Sequence, residues 1–182
     1  QPYIGTVQVI NVNAPFVAYD DHVTLDPTGN NNGLPDYSEV IDLDVTLSNF
    51  GLVDAFGVTA QLVCTNPYVT ITDDNDTWGS IVATSTGTVN NAFSLTIAND
   101  VPDQEIINYD IVVDDNNGGN WTSYFSMIAN APELVIDEVV IDDNLNGNGN
   151  GRLEAGETVD FSIPSMNDGH SDCTNLIGNL SN

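Results

Sequence analysis

The chain has 182 residues and carries 27 acidic side chains against a single arginine, Arg152, and no lysine, for a formal net charge of −26. A field of that sign repels nucleic acid and anionic membranes and attracts divalent cations. No apolar run approaches the length of a membrane span, and Val, Ile, Leu and aromatic residues spread through alternating runs separate the chain from disordered acidic tails. Residue 1 is Gln and no signal peptide is present, which fits a processed secreted chain or a fragment.

In chain order, Gln1 to Asn13 is a strand-like run with Tyr3, Ile4, Val7, Val9, Ile10 and Val12, and it closes on Asn13-Ala14-Pro15. The same tripeptide recurs as Asn130-Ala131-Pro132, 117 residues later, behind another strand-like run from Trp121 to Ala129. Residues 1–13 therefore read as the closing strand of a preceding or neighbouring unit. A complete unit spans residues 14–130, and 131–182 is the first half, about three strands, of another.

The complete unit opens with a strand from Phe16 to Leu25, followed by TGNNNGLPDYSE from Thr28 to Glu39. Thr28, Asn30, Asn32, Asp36 and Glu39 place oxygen-bearing side chains at loop positions 1, 3, 5, 9 and 12. Gly33 falls at position 6, and Leu34 at position 7 needs only its carbonyl. Ca2+ takes about six to eight oxygens, and alternate residues of a tightly wound loop can supply them. Glycine permits the sharp bend, and the final glutamate can close the shell with both oxygens. The spacing is that of an EF-hand loop without helical flanks, so the expectation is a calcium loop between strands. A plain Asn/Gly turn would explain one such copy equally well.

A second copy exists. Asn146, Asn148, Asn150, Glu154 and Glu157 recur at the same five positions, with Gly151 at the bend and Arg152 as the carbonyl donor. The correspondence runs on past the loops, pairing Asp42, Asn49, Gly51, Asp54 and Leu62 with Asp160, Asn167, Gly169, Asp172 and Leu180 at an offset of 118. A long-period repeat of one unit marks a tandem array, and two acid-terminated copies favour calcium over a turn.

After the first loop, Val40 to Leu47 alternates apolar and polar residues as a strand with one wet face. Further strands are expected at Val58–Cys64, Tyr68–Ile71, Gly79–Thr84, Phe93–Ala98, Ile106–Val113 and Trp121–Ala129, with turns at Asp73–Asp76 and Asp114–Asn120. In the second unit the strands are Leu134–Ile141, Thr158–Ile163 and Asn175–Leu180. No stretch keeps a helical period, so the fold class is all-β, a tandem array of immunoglobulin-like β-sandwiches with calcium loops.

The string Val45-Thr46-Leu47-Ser48-Asn49-Phe50-Gly51, followed by Asp54-Ala55, Val58 and Leu62, resembles the core of bacterial, Bacteroidetes-type secreted immunoglobulin-like repeats. Asn150-Gly151-Arg152-Leu153-Glu154-Ala155-Gly156-Glu157 is similar to the NGxxDPGE calcium turn that precedes that core. The resemblance implies a surface or secreted protein, in which such repeats also flank gingipain-like peptidase domains. Thr28 departs from the Asn or Asp usual at position 1, and Pro164 interrupts the second copy of the strand, which predicts an edge or bulge there.

Catalytic constellations are absent from the sequence. His22 and His170 lack counterparts in the other copy and read as solvent-facing. Cys173 near His170 lies in a Gly/Ser/Asp turn, and no G-x-S-x-G or H-E-x-x-H string occurs. Cys64 and Cys173 fall in different units, which leaves free thiols or a bridge between units open. Trp78 and Trp121 suit packing or strand-end anchoring, with glycan stacking as the alternative, and sequons at Asn75, Asn120 and Asn179 admit glycans. The functional expectation is a non-enzymatic, calcium-stabilised extracellular stalk, adhesin or filament. Its units would be completed by strand pairing with neighbours, through head-to-tail self-association or along one polypeptide, without nucleic acid or membrane insertion. The alternative is an accessory or substrate-binding module of a secreted peptidase or other hydrolase.

Overall fold

The computed structural model describes residues 13–174 and 176–181; of the expected strand at residues 1–13, all but Asn13 lies outside them. Every regular element among the described residues is a strand. One antiparallel sheet is built from β1 (Val17–Leu25), β2 (Val40–Asn49), β6 (Thr86–Ile97) and β4 (Val69–Asp73), in the order β1-β2-β6-β4. A second contains β5 (Asn75–Ile81), β3 (Ala55–Val63), β7 (Glu105–Asp114) and β8 (Asn120–Ala129), in the order β5-β3-β7-β8. The first has the strand order of an immunoglobulin ABED sheet and β3-β7-β8 that of its CFG sheet, with β5 as an added edge strand.

Alternation along the strands produces one core. Ile41, Leu43, Val45 and Leu47 of β2 are fully buried in a single cluster with Val58 and Leu62 of β3, Phe93 and Leu95 of β6, and Ile107, Ile111 and Val113 of β7. Each such side chain stabilises the fold by roughly 1.5–3 kcal/mol relative to exposure. The sheets also meet where Phe125 of β8 stacks against Tyr19 of β1 and Tyr109 of β7, each at a centroid distance of 5.0 Å. Trp78 and Trp121 pack partly buried against this core, as strand-anchoring residues do.

Several boundaries differ from expectation: the strand expected at Gly79–Thr84 is Asn75–Ile81, and that expected at Leu134–Ile141 divides into Leu134–Ile136 and Val140–Asn146. The turn placed at Asp73–Asp76 contracts to Asp74 alone, because Asp74 is held by Gln61 Nε2 (2.8 Å) and by the Leu62 amide (2.8 Å). The chain thus passes from one sheet to the other in a single residue, and β5 begins at Asn75. β6 starts well before Phe93, since Thr86 to Val89 pair with β2 beyond a register shift at Leu43/Val45.

Past the sandwich, β9 (Leu134–Ile136) pairs with β12 (Ser165–Asn167), and β10 (Val140–Asn146) with β11 (Thr158–Ser162). The break between β11 and β12 falls at Pro164, which has no amide to donate to a ladder; its carbonyl still accepts from the Asp137 amide at 3.0 Å. Residues 176–180, expected within the strand Asn175–Leu180, carry none. No neighbouring strand among the described residues offers them ladder partners, and an unpaired backbone does not gain from extending.

The Asn-Ala-Pro segments are held alike. Asn49, fully buried, accepts from the amides of Phe16 (3.1 Å) and Gly51 (3.0 Å) and donates to the Val53 carbonyl (2.9 Å). Asn167 does the same with the Glu133 amide (3.0 Å), the Gly169 amide (3.1 Å) and the Ser171 carbonyl (2.8 Å). A Cβ on Gly51 or Gly169 would stand 2.3 Å from the carbonyl oxygen of Ala14 or Ala131, so both segments run against bare backbone.

Candidate metal centre

The first loop leaves the end of β1 and returns into β2, so its two stems are neighbouring strands of one sheet. Its organising residue is Asp26, which precedes the twelve-residue frame and is only 1% exposed. One carboxylate oxygen accepts the Asn32 amide (3.1 Å) and the other the Gly33 amide (3.2 Å). Gly33 takes a positive φ of 76°, the bend expected of it. Glu39 closes the ring from the opposite side, with Oε1 accepting the Asn30 amide (3.0 Å) and Oε2 the Asp36 amide (3.2 Å). The side-chain amides of Asn30 (2.6 Å) and Asn32 (3.0 Å) both donate to Asp36 Oδ2. Asn30, Asn32, Asp36 and Glu39 are thus gathered as the spacing implied. The Leu34 amide is held by Asn32 Oδ1 at 2.7 Å.

The second loop repeats this pattern except for the Asn32 side-chain bond to Asp36. Asp143, 2% exposed, accepts the amides of Asn150 (3.0 Å) and Gly151 (3.2 Å). Glu157 accepts the amides of Asn148 (3.2 Å) and Glu154 (3.1 Å). Asn148 Nδ2 donates to Glu154 (2.8 Å), and the Arg152 amide to Asn150 Oδ1 (2.9 Å). Thr28 and Asn146, read from spacing as position 1, are exposed, and among the described residues neither side chain hydrogen-bonds into its ring. Asp26 and Asp143 stand in that role instead. They lie 117 residues apart while the rest of the loop repeats at 118, a one-residue insertion that hid the pair from a fixed frame.

The first ring gathers three carboxylates, Asp26, Asp36 and Glu39. Burial raises the Glu39 carboxyl above its ordinary value; amides from Asn30 and Asp36 pull it down, and the neighbouring Asp36 and Asp26 push it further up. The only Lys or Arg in the chain is Arg152, in the other loop. Amide hydrogens of Asn30 and Asn32 thus supply the positive ends that this carboxylate-rich ring requires. Among the described residues no three or more His, Cys, Asp or Glu side chains stand together as a metal-binding group. The loops set asparagine side chains beside carboxylates, and oxygen donors of these residue types are those a hard cation of the calcium type would take.

The first loop is also tied to the segment that follows the sandwich. Asp36 bridges Asn130 in the parallel sense, with Asn130 Nδ2 donating to Asp36 Oδ1 at 3.1 Å. The Tyr37 amide donates to the Asn130 carbonyl (2.9 Å), the Asn130 amide to the Pro35 carbonyl (2.9 Å), and the Tyr37 hydroxyl to the Asp172 carbonyl (3.2 Å). Nearby, Asp103 accepts the Ala131 amide (2.9 Å) and meets His170 Nδ1 at 2.6 Å.

The histidines differ from one another. His170 is 59% exposed, in keeping with a solvent-facing residue. His22 is half-buried: it bonds the Tyr19 hydroxyl at 2.6 Å and packs on Phe125, because β1 runs beside β8. Burial lowers its pKa against the opposing pull of Asp21. Cys64 and Cys173 are both free thiols and half-buried.

The chain matches no protein-family model and no curated protein sequence. Among solved structures it is similar to the CARDB domain of a Pyrococcus furiosus protein in complex with di-metal ions, at 13% identity and a TM-score of 0.41, covering 66% of this chain and 97% of that one. It is similar to a PapD-like domain of human CEP192 at 9% identity and a TM-score of 0.33, over 71% and 96% of the two chains. It is also similar to BcpA, the major pilin subunit of Bacillus cereus, at 13% identity and a TM-score of 0.27, over 82% of this chain and 56% of that one.

Proposed function

We propose that the chain is a non-enzymatic, calcium-stabilised extracellular structural module, built from β-sandwich units that repeat in tandem along a stalk, adhesin or filament. The observation that carries this reading is the closely matching hydrogen-bonded ring around Asp26 and Asp143, with the first ring bound through Asp36 to Asn130. Asp26, Asn30, Asn32, Asp36 and Glu39 would hold the ion in the first loop with the Leu34 carbonyl. Asp143, Asn148, Asn150, Glu154 and Glu157 would hold it in the second with the Arg152 carbonyl. A bound Ca2+ supplies positive charge to a buried carboxylate ring and screens the self-repulsion of an acidic chain. Because Asp36 also holds Asn130, charge neutralisation in the first loop stiffens the connection to residues 131–181. Units would be completed by strand pairing with their neighbours, since the two-stranded sheets β9-β12 and β10-β11 have free edges among the described residues.

Calcium titration of the full chain tests this. One ion per loop is expected, with affinity on the order of 10⁻⁴–10⁻³ M, the range of extracellular modules. Glu39→Ala and Glu157→Ala should each remove one ion. Unchanged stoichiometry in both variants would show that these loops are turns and nothing more.

A further inference from the structure

We propose that β8 is a self-pairing edge: two copies of the chain join side by side, β8 against β8 in antiparallel register, forming one continuous sheet about a two-fold axis. The inference goes beyond the tandem-unit reading and needs no ion in either loop. It starts from a contrast among the four edge strands of the sandwich. β1 carries Asp20 and Asp21, with a register shift between Tyr19 and Asp21. β4 is five residues long, ends on Asp73 and shifts register beside it. β5 carries Asp76 and Gly79, and its pairing with β3 shifts twice. Charges, short length and bulges are the devices by which sheet edges avoid pairing with other chains. β8 has none of them. It runs ten residues, Asn120 to Ala129, without a charged residue, proline or glycine, and its ladder with β7 is unbroken from the Asp114–Asn120 pair to the Glu105–Ala129 pair. In a chain with 27 acidic residues, an uncharged strand lets two copies meet with little local repulsion.

The backbone of β8 is open on the side away from β7. Just past the strand, the Asn130 amide bonds the Pro35 carbonyl and the Asn130 carbonyl accepts the Tyr37 amide, each at 2.9 Å, so both groups turn towards the first loop. The amide and carbonyl of one residue leave a strand on the same side, and the side alternates along the chain. Thr122, Tyr124, Ser126 and Ile128 therefore direct theirs away from β7 as well, and no backbone group among the described residues meets them there. β1 approaches from the other sheet, where the Tyr19 amide meets the inward-facing Ser123 Oγ at 3.0 Å. The outward side chains stand in solvent: Tyr124 is 71% exposed, and Ile128 lies exposed beside exposed Ile106 of β7.

Electrostatics select the antiparallel arrangement. A two-fold axis at Tyr124 sets Tyr124 opposite its own copy, Thr122 opposite Ser126 and Asn120 opposite Ile128, which aligns the open backbone groups of both strands and puts an aromatic pair on the axis. Asp110, across from Tyr124 on β7, stays roughly 14 Å from its copy, three strand spacings away and beyond the Debye length of about 8 Å at physiological salt. The first loop is tied to the Asn130 end of β8, so antiparallel copies hold their carboxylate rings roughly 40 Å apart at strand rise. Parallel pairing would bring Asp26, Asp36 and Glu39 of the two copies side by side. Edge addition of this kind satisfies the open backbone groups of both strands at once.

Sedimentation of the full chain tests this. A dimer is expected at about 0.1 mM protein in about 0.5 M NaCl, where a Debye length of about 4 Å screens Asp20 and Asp21 on neighbouring β1; lowering the salt should weaken it. Tyr124→Asp places two carboxylates opposite one another on the axis and should weaken dimerisation by about tenfold or more, while Val82→Asp, exposed but off β8, should not. Thermal melts of both variants check that the sandwich stays folded. With Cys64 and Cys173 changed to Ser, Tyr124→Cys should oxidise to a covalent dimer and no larger species. Ser126→Cys, which faces Thr122 and not its own copy, should not cross-link. A monomer under all these conditions would give the edge to another occupant, residues 1–12 of the same chain among them, and overturn the proposal. So would a dimer indifferent to Tyr124→Asp, or Ser126→Cys dimers as abundant as those of Tyr124→Cys. The same dimer is expected in EGTA, which separates this result from the calcium titration.

Discussion

On the proposed calcium reading, Gly29→Ala should abolish ion binding by the first loop without removing a single proposed ligand. Gly29 has no positive φ that would itself bar alanine, so the perturbation is steric and local. An added Cβ would stand 2.2 Å from Glu39 Oε1 and 2.4 Å from its Cδ. Ordinary contact begins near 3.4 Å, so the carboxylate must retreat by about 1 Å. That withdrawal strips Glu39 from the amides of Asn30 and Asp36, two charge-assisted bonds worth about 1.5–3 kcal/mol each in buried settings and less here, where the loop is partly wet. A loss of about 3 kcal/mol in ion affinity is on the order of 100-fold, enough to take a weak extracellular site out of the physiological range. Calorimetric titration should therefore count one ion where the parent chain binds two, with the Asp143 loop as internal control and the sandwich still melting cooperatively. Two ions bound with parental affinity would refute the claim that Glu39 closes this ring.

Other outcomes follow from the same geometry. Asn130→Ala should weaken the first loop several-fold and leave the second unchanged, since Asn130 Nδ2 holds only Asp36; titration of both loops reads it. Asn49→Ala orphans the amides of Phe16 and Gly51 and the carbonyls of Val53 and Ile81 around a fully buried site, and should cost about 2–4 kcal/mol of sandwich stability by denaturant unfolding. In the calcium-free protein, Glu39 has a folded-state pKa above its unfolded value, so its ionised form opposes folding above that pKa. Acidification from neutrality down to the ordinary carboxylate range should relieve this cost while proton competition weakens calcium binding. Glu39→Gln should flatten both trends.

The amino-acid sequence by itself determined the class of fold and most of each loop. Period-two alternation in β2, β3 and β7 specifies which side chains enter the core, because a strand turns successive residues to opposite faces. The oxygen spacing of Asn30, Asn32, Asp36 and Glu39 is likewise local, since a tight loop turns alternate residues inward. Three matters were decided only by tertiary structure. Asp26 and Asp143 sit outside the loop frame, and they reach the loop amides only because β1 and β10 deliver them to its mouth. The β4–β5 corner is a single residue because Asp74 finds partners on β3, and His22 is half-buried because β8 crosses beside β1. Each depends on a contact between residues far apart in the chain, where composition and period carry no signal. The tie from Asp36 to Asn130 spans 94 residues for the same reason: only the closed sandwich brings a loop after its first strand to the residue that follows its last.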